Sequence, residues 1–570
     1  MLKGQMVTGI HLKISFYELC AAGLIILAVA LRIVLVYLGW PGMDSDEGTM
    51  GLMALHIAYR GEYPIFFYGQ PFMGSLEAYL GAIFFRLLGP SVSSLRLGTI
   101  VLFAFFLVTM YCLTNLLYSK KLALVSLTLL TLGSGEILFR ELEAAGGYPE
   151  TLLFGPLLIL YATWLALSSR QELSAGKSRW RIIAYAGWGA IVGLALWSDP
   201  LVIPFVIMAG LLLLLFCRHE LRFTILFSLL LGLVIGAFPV IFYNLTVPLR
   251  QGTGELWGAI FHFSGTNEAF SFGQRIVATI LVGLPVATGA NPLCPLNRGN
   301  AWPLSTQSGP YVIQCTVVHG IWGLGVIVLW LVAASLAFRH YWKLRWLSRV
   351  KSWTMEERRD AIREGARLML LGSVGLTLFI FVLSRPSGQV PWPSNRYLVG
   401  FLAAVPALIS PLWDVIRSHS VRRYAVITTI LRYGVVLLIG ITFLVGTIDT
   451  FAALPSMRAS SEQQFALVHD LLRVGATRIY SDYWTCDRII FQSNEQITCS
   501  VVDEQLQPGY DRYLPYRAIV TASPHPAYVF PLNSPQASAF AHKVVASGRY
   551  YQNFIFDGYV VYQPVGTRNR

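Results

Sequence analysis

Apolar stretches long enough to cross a lipid bilayer run through the whole chain of 570 residues. A helix needs about 20 mostly apolar residues to span the hydrocarbon core, and roughly eleven stretches approach that length. We predict membrane spans at 17–39, 93–117, 122–139, 151–168, 182–198, 201–217, 223–246, 320–338, 368–384, 397–416 and 425–447. Hydrophobic residues make up 55% of the chain and charged residues 13%, which excludes an ordinary soluble domain. We therefore expect a polytopic α-helical membrane protein with about 11 transmembrane helices.

Lysine and arginine residues cluster in the short loops between these spans, so the formal charge of +13 does not indicate nucleic acid. Positive residues accumulate in the cytoplasmic loops of membrane proteins. The most basic loop is residues 339–367, and another contains Lys120 and Lys121. We therefore expect a plasma-membrane protein with a cytoplasmic amino terminus and with everything after about residue 448 outside.

Two predicted outer segments have the pattern of folded structure. Residues 40–92 contain two short apolar helices, and the second, "SLEAYLGAIFFRLLG", spans only about 21 Å, too little to cross the membrane. After residue 455, strand-like runs at "TRIYSD", "QITCSVV", "RAIVTA" and "YYQNFIFDGYVVYQP" alternate with helical ones at "YWTCDRIIFQ" and "SPQASAFAHKVVAS". This alternation predicts a small extracytoplasmic α/β domain. We divide the chain into a membrane domain at 1–455 and this terminal domain at 456–570.

Four of the seven cysteines fall in the two largest segments assigned to the outside. They form two closely spaced pairs, Cys294 with Cys315 and Cys486 with Cys499. An oxidising exterior permits disulfides, so we predict one in each pair; the alternative is four free thiols.

Three carboxylates stand in "PGMDSDEGTM", directly after the first span: Asp44, Asp46 and Glu47. One acid here would suffice to cap a helix, because unpaired N–H groups and the helix dipole favour negative charge at a helix start. Three acids repel one another, an arrangement tolerated where a cation or an acceptor hydroxyl is bound. The Asp44-x-Asp46 spacing also resembles a metal-binding DxD motif, so a divalent metal at these two residues stays open as a cofactor.

Further charged residues emerge on the same predicted side of the membrane. Glu141, Glu143 and Glu150 follow the third span. Asp199 stands at the end of the fifth span, where it could either join these acids or simply break the helix before Pro200. Arg385 and Arg396 lie at the outer ends of the ninth and tenth spans. Glu150 could instead cap the fourth span, and the arginines could reach towards lipid headgroups. Taken together, these residues offer a carboxylate cluster and arginines suited to hold a phosphate.

The first outer loop, "DSDEGTMGLMALHIAYRGEYPIFFYGQPFMGSLEAYLGAIFFRLLG", resembles that of the GT-C membrane glycosyltransferases. These include protein O-mannosyltransferases, lipid A aminoarabinose transferases and oligosaccharyltransferase catalytic subunits. The later stretch "NRYLVGF" is similar to the Arg-Tyr start of a late span in these enzymes. The usual "KPPL" before the second loop helix is replaced by "GQPFMGSLEAY", and the "WWD" motif of Asn-linked glycosylation is absent.

The resemblance implies a GT-C fold and particular site residues. Asp46 matches the catalytic aspartate of these enzymes, Glu47 its neighbour and Glu150 the acid of the second outer loop. We expect the remaining candidates to bind substrate: Asp44, Glu143, Arg385, Arg396 and Tyr397.

The activity implied is transfer of a sugar from a polyprenyl-phosphate donor to an acceptor hydroxyl, since nucleotide sugars are not available outside the membrane. The leaving phosphate needs electrostatic stabilisation, and the acceptor hydroxyl needs a base, for which Asp46 is suited. The expected partners are the lipid-linked sugar, membrane lipids and an acceptor that is a lipid, glycan or protein.

Two other functions compete with this interpretation. In a secondary transporter, the outer acids would form a cation vestibule, but transporters need ionisable or broken-helix sites near the membrane midplane, often in repeated halves. Here Arg32 and Arg432 are the main charges within spans, and no two halves repeat. A protein that only anchors or presents the terminal domain leaves the many spans and the elaborate first loop unexplained.

Overall fold

The computed structural model describes residues 15–169, 175–248, 270–294, 309–350, 353–413, 422–547 and 550–565. The last three residues of the predicted span 397–416 and the predicted cytoplasmic amino terminus before residue 15 lie outside these ranges. The described residues form a bundle of long helices with a small α/β layer against one end. We call this layer, from residue 454 onward, the terminal layer.

The helices of the bundle and its loops are numbered α1 to α18 in chain order. They are α1 (Phe16–Tyr37), α2 (Ser45–Leu55), α3 (Leu76–Leu88), α4 (Val92–Leu117), α5 (Lys120–Thr131), α6 (Gly135–Leu142), α7 (Tyr148–Ser168), α8 (Ala175–Ser198), α9 (Ile203–Cys217), α10 (Phe223–Gly236), α11 (Phe238–Thr246), α12 (Phe272–Ala278), α13 (Leu284–Ala287), α14 (Pro310–Val350), α15 (Met355–Leu383), α16 (Pro386–Gln389), α17 (Val405–Trp413) and α18 (Arg422–Ala452). A 3₁₀ helix at Pro393–Ala404 leads into α17.

Nine of the described helices are long and apolar enough to cross a membrane, or up to eleven when two bent pairs each count as one span. The bent pairs are α5 with α6, at 89°, and α10 with α11, at 63°. Every one of the eleven predicted spans corresponds to one of these helices or pairs. The prediction of a polytopic helical membrane protein is confirmed.

Both short helices expected in residues 40–92 are present, as α2 and α3. Helix α3 has only 13 residues, too few to cross a bilayer. Helix α2 continues into a π turn, His56–Arg60, which ends at Gly61 with a φ of 69°. Glycine adopts this left-handed conformation without the steric penalty of a Cβ atom, which is why the helix stops there.

The terminal layer contains a five-stranded sheet of order β2-β1-β3-β5-β4. Its strands are β1 (Arg478–Ser481), β2 (Thr498–Val501), β3 (Ala527–Pro531), β4 (Tyr551–Phe556) and β5 (Tyr559–Pro564), and its helices are α19 (Leu454–Arg473), α20 (Tyr483–Gln492), α21 (Leu514–Thr521) and α22 (Pro535–Ser547). β1 pairs in parallel with β2 and β3, whereas β5 is antiparallel to β3 and β4. Asp557 and Gly558 join β4 to β5 with φ angles of 46° and 86°, the geometry favoured in tight hairpins.

The strand predicted at "RAIVTA" is wrong, because these residues lie in α21. Tyr516 and Val520, four positions apart, are both buried, as on one face of a helix, whereas Ile519 between them is exposed. The third strand is Ala527–Pro531 instead. A short apolar run does not by its periodicity distinguish a strand from a buried helix, which explains the error.

Helix α2 packs directly against α20 of the terminal layer because two glycines allow close approach. A Cβ atom on Gly48 would lie 2.7 Å from the backbone nitrogen of Arg488, and one on Gly51 would lie 2.7 Å from the ring of Phe491. A disulfide between Cys486 and Cys499 ties α20 to β2. The second predicted pair, Cys294 and Cys315, is likewise joined, with its Cα atoms 5.4 Å apart.

The right-angled bend between α5 and α6 is held by Arg32 of α1. Its guanidinium is fully buried and pairs with Glu141, with Nη2 2.7 Å from Oε2. The same group donates to the carbonyl oxygens of Thr131 and, at 3.2 Å, Leu130. Carbonyls at a helix end lack partners within the helix, so Arg32 supplies the missing hydrogen bonds.

Replacing Arg32 with Met is expected to destabilise the fold by about 3–5 kcal/mol, because Glu141 is left buried without a counter-charge. Thermal unfolding of purified protein in detergent measures this loss. The matched control is Arg32→Met combined with Glu141→Leu, which removes both charges and should recover part of the stability. A single variant at least as stable as the double variant would contradict this explanation.

Candidate functional site

Carboxylates from several separate segments gather at one end of the bundle, where α2 and α3 meet the loop between α6 and α7. All but two of them are buried. We call this group the acidic cluster, and its members are Asp44, Asp46, Glu47, Glu77, Glu143, Glu150 and Asp199.

Asp44 caps α2 and also belongs to the cluster. Its Oδ1 accepts the backbone N–H of Glu47 at 2.9 Å. Burial and the neighbouring Asp46 carboxylate raise the pKa of Asp44 to about 6. The Glu143 carboxyl also contacts Asp44 and accepts a hydrogen bond from Nη1 of Arg140 at 2.8 Å. Burial, followed by the charge of Asp44, raises the pKa of Glu143 well above its usual range.

Glu47 is buried in the interior of the bundle. Arg96 of α4 donates to both of its oxygens, from Nε at 2.7 Å and from Nη2 at 2.5 Å. Glu47 also accepts the backbone N–H of Ala144 at 3.3 Å, and Arg96 donates to the carbonyl of Pro41 at 2.8 Å. This pair therefore fixes α4, the segment at Pro41 and the segment at Ala144 around the start of α2.

Asp46 points towards the terminal layer. Its Oδ1 accepts hydrogen bonds from the hydroxyl of Tyr483 and from Nη2 of Arg512, the latter at 2.7 Å. Within the described residues, no hydrogen bond reaches Oδ2. The Asp46 side chain remains 18% exposed, whereas that of Glu47 is only 1% exposed. Asp46 is therefore an accessible carboxylate with one oxygen held and one available.

Glu77, Glu150 and Asp199 form a buried subgroup of the acidic cluster. Glu77 accepts the backbone N–H of Gly146 at 2.9 Å, and burial, followed by the charge of Glu150, raises the pKa of Glu77 well above its usual range. Burial raises the pKa of Asp199 to about 7. Gly147 makes room for it, since a Cβ atom there would lie 1.9 Å from Oδ2 of Asp199.

Asp199 caps the turn that follows α8 and lies beside Glu150 of the acidic cluster. Its Oδ1 accepts the backbone N–H of Leu201 at 2.6 Å and so caps the 3₁₀ turn Pro200–Val202. The same carboxyl lies close enough to Glu150 for the two to interact electrostatically.

Two arginines lie beside the acids. Arg396 is close to the rings of Tyr148 and Tyr397, with its guanidinium carbon 5.9 Å and 5.4 Å from their centroids. It lines a small cavity together with Arg140, and the Nε atoms of both are buried without a hydrogen bond in the described part of the chain. Arg385 is instead exposed at the start of α16. Arg396 and Arg140 are thus suited to receive an anion.

Sequence reasoning missed five residues of this site. Two of them had a detectable signal: Glu77 is an acid in an apolar helix, and Arg96 is a charge within a span, which requires a partner. Arg140 lies in the acidic stretch "FRELE", and no pattern around it indicates an anion-binding residue. Tyr483 and Arg512 have no local pattern that distinguishes them from other residues of the terminal layer.

The geometry does not fit the divalent metal that the Asp44-x-Asp46 spacing left open. Among the described residues, no three His, Cys, Asp or Glu side chains are grouped so that they could hold a metal ion. Asp44 is occupied by the start of α2 and by Glu143, and Asp46 by Arg512. The side chains of Asp44 and Asp46 therefore do not suit a divalent metal ion.

The raised pKa of Asp44 makes stability depend on pH. Between its ordinary value of 3.8 and about 6, the folded protein retains a proton that the unfolded chain releases, so the free energy of unfolding falls as pH rises. Asp44→Asn should flatten this slope, because Asn still caps the helix but does not ionise.

Thermal unfolding in detergent between pH 4 and pH 7 measures the effect. Asp482→Asn is the matched control, since Asp482 caps α20 by accepting the backbone N–H of Trp484 at 2.9 Å and is not in the acidic cluster. A slope for Asp44→Asn equal to that of the wild type would contradict the assignment.

Comparison with known proteins identifies the fold. No protein-family model and no curated protein matches the chain. Among solved structures, the chain is similar to ArnT from Cupriavidus metallidurans bound to undecaprenyl phosphate, with 12% identity and a TM-score of 0.52. The match covers 96% of this chain and 99% of that one, and the apo state of the same enzyme gives 12% identity, the same coverage and a TM-score of 0.50.

The archaeal oligosaccharyltransferase AglB from Archaeoglobus fulgidus, in complex with an inhibitory peptide and a dolichol-phosphate, is a further neighbour. It gives 12% identity and a TM-score of 0.46, and the match covers 98% of this chain and 75% of that one. The similarity to ArnT shows that the chain has the GT-C fold, as the resemblance of the first loop implied.

Proposed function

We propose that the protein is a membrane glycosyltransferase that moves a sugar from a polyprenyl-phosphate donor to an acceptor hydroxyl. The fold supports this, since it matches along nearly its whole length an enzyme that was solved with undecaprenyl phosphate bound. The observation that carries the proposal is the geometry of Asp46, whose Oδ1 is held by Arg512 while Oδ2 is available.

Transfer requires a proton acceptor and stabilisation of the leaving group. In the proposed reaction, the oxygen of the acceptor hydroxyl attacks the anomeric carbon of the donor, and Oδ2 of Asp46 takes the proton of that hydroxyl. The bond between that carbon and the phosphate oxygen breaks, and its electron pair leaves with the phosphate. Arg396 and Arg140 stabilise the negative charge that develops on the leaving phosphate. The Nε atoms of both arginines have no hydrogen-bond partner within the described residues.

We further propose that the acidic cluster and residues 456–570 face the outside of the cell membrane. The basic loops support this orientation, since they would then lie in the cytoplasm. The two disulfides are compatible with it, because an oxidising compartment preserves such bonds. A lipid-linked donor is the form of activated sugar available on that side.

The remaining candidate residues have different functions in this proposal. Glu47 has both oxygens paired with Arg96, so we assign it to holding the start of α2 rather than to the reaction. Glu150 stays a predicted catalytic residue, close to Glu77 in the interior. Asp44, Glu143, Arg385 and Tyr397 stay predicted binding residues.

Asp46→Asn is expected to lower kcat by about 100-fold or more, because the amide no longer accepts the proton while it still hydrogen bonds to Arg512. The assay incubates purified protein with a panel of labelled polyprenyl-phosphate sugars and a membrane extract as the acceptor source. Loss of label from the lipid is measured for each sugar, which also identifies the donor.

Asp503→Asn is the matched control, since among the described residues the Asp503 carboxylate accepts just the backbone N–H groups of Gln505 and Gln507 in a turn. A folded Asp46→Asn protein that transfers sugar at the wild-type rate would overturn the base assignment. If no label leaves any donor with wild-type protein, the glycosyltransferase proposal itself fails.

A further inference from the structure

The proposed base is held by side chains from a distant part of the sequence. Asp46 lies in the first turn of α2, whereas Tyr483 opens α20 and Arg512 precedes α21. Both contact the same oxygen, Oδ1 of Asp46. The side chain of Arg512 is only 4% exposed, so this is an interior contact rather than a surface ion pair.

Arg512 is fixed in place from several directions. Its Nε donates to the hydroxyl of Tyr483 at 2.7 Å, and its Nη1 donates to the carbonyl of Tyr68 at 3.3 Å. The guanidinium also lies over the ring of Phe67, 4.5 Å from its centroid. Since the planar group uses its nitrogens on three different partners, its orientation relative to Asp46 is set by the surrounding structure.

Docking of the terminal layer extends to both sides of Asp46. Asp487 of α20 makes two of these contacts. Its backbone N–H donates to the hydroxyl of Ser45 at 3.2 Å, and its carboxylate accepts a hydrogen bond from the hydroxyl of Thr49 at 2.7 Å. Gly48 between them allows the backbones to touch. The first turn of α2 is therefore clamped by the terminal layer, and the side chain of Asp46 has little freedom to rotate.

We propose that Arg512 and Tyr483 are positioning residues of the transfer reaction, through which the terminal layer completes the catalytic site. They hold Oδ1 of Asp46 so that Oδ2 faces the acceptor hydroxyl. This inference rests on the proposed function and adds a requirement to it: the membrane domain alone does not orient its base.

Arg512→Gln should lower kcat by about 100-fold and leave the KM for the lipid-linked sugar within about twofold, because misplacing a reacting group mainly affects the chemical step. Arg512→Lys should recover only part of the activity, since one ammonium does not reproduce the contacts of the guanidinium. Tyr483→Phe removes one hydrogen bond and should cost about fivefold.

A double variant separates positioning from a general structural effect. If Arg512 acts through Asp46, the Asp46→Asn/Arg512→Gln protein should transfer sugar as slowly as Asp46→Asn alone. Hydrogen exchange of the α2 amides reports whether the terminal layer stays docked in each variant. Arg473→Gln is the control, an exposed arginine of the same layer that pairs with Asp470 at 3.0 Å.

The outcomes distinguish this inference from the proposed function. If wild-type protein is active and Asp46→Asn is not, yet docked Arg512→Gln keeps wild-type kcat, the positioning proposal is overturned while the glycosyltransferase stands. A further loss of about 100-fold in the double variant would also overturn it, since the two residues would then act independently. If Asp46→Asn is fully active, Asp46 is not the base, and the proposed mechanism is overturned before the positioning residues are considered.

Discussion

The buried ion pair between Glu47 and Arg96 is the constraint on which the rest of the site depends. Each side chain is at most 2% exposed, and a charge left unpaired at that depth is strongly destabilising. Because the pair also bonds to the backbone at Pro41 and Ala144, it fixes α2 to α4 and to the loop between α6 and α7. Once α2 is fixed in this way, helix geometry sets the direction of Asp46, and the capping bond from the backbone N–H of Glu47 holds Asp44.

The same arrangement recurs elsewhere in the bundle. In each case a buried arginine pairs with a glutamate and also donates to a backbone carbonyl, which lies either in the last turn of a helix or in the loop between two helices. The three examples are Arg32 with Glu141, Arg96 with Glu47, and Arg181 with Glu220, and the carbonyls are those of Thr131, Pro41 and Leu165. The bend between α5 and α6 is thus stabilised by a charged side chain, which explains Arg32 within a span without a transport function.

The sequence was informative wherever one physical signal dominates. Hydropathy located the spans because the bilayer requires long apolar helices, and the acids of "DSDEG" stood out against that background. The partners of Asp46 could not be found in this way, since Arg512 lies 466 positions away and the close packing of α2 on α20 depends on the absence of a side chain at Gly48. Likewise, the strand predicted at "RAIVTA" failed because a short apolar run fits either kind of element.

The three acids of residues 44–47 point in three different directions, because Asp44 precedes α2 and caps it, whereas Asp46 and Glu47 both lie in its first turn. Successive residues of a helix are rotated by about 100°, as 3.6 residues make a turn. Asp44 turns back to cap the free N–H groups, Glu47 enters the bundle to meet Arg96, and Asp46 faces the terminal layer. Their mutual repulsion is limited, because Asp44 binds a proton below about pH 6 and the other two carboxylates each have an arginine partner. A single acid could not both secure the helix and remain available at the surface, so the repeated carboxylates separate the structural functions from the one that we propose for Asp46.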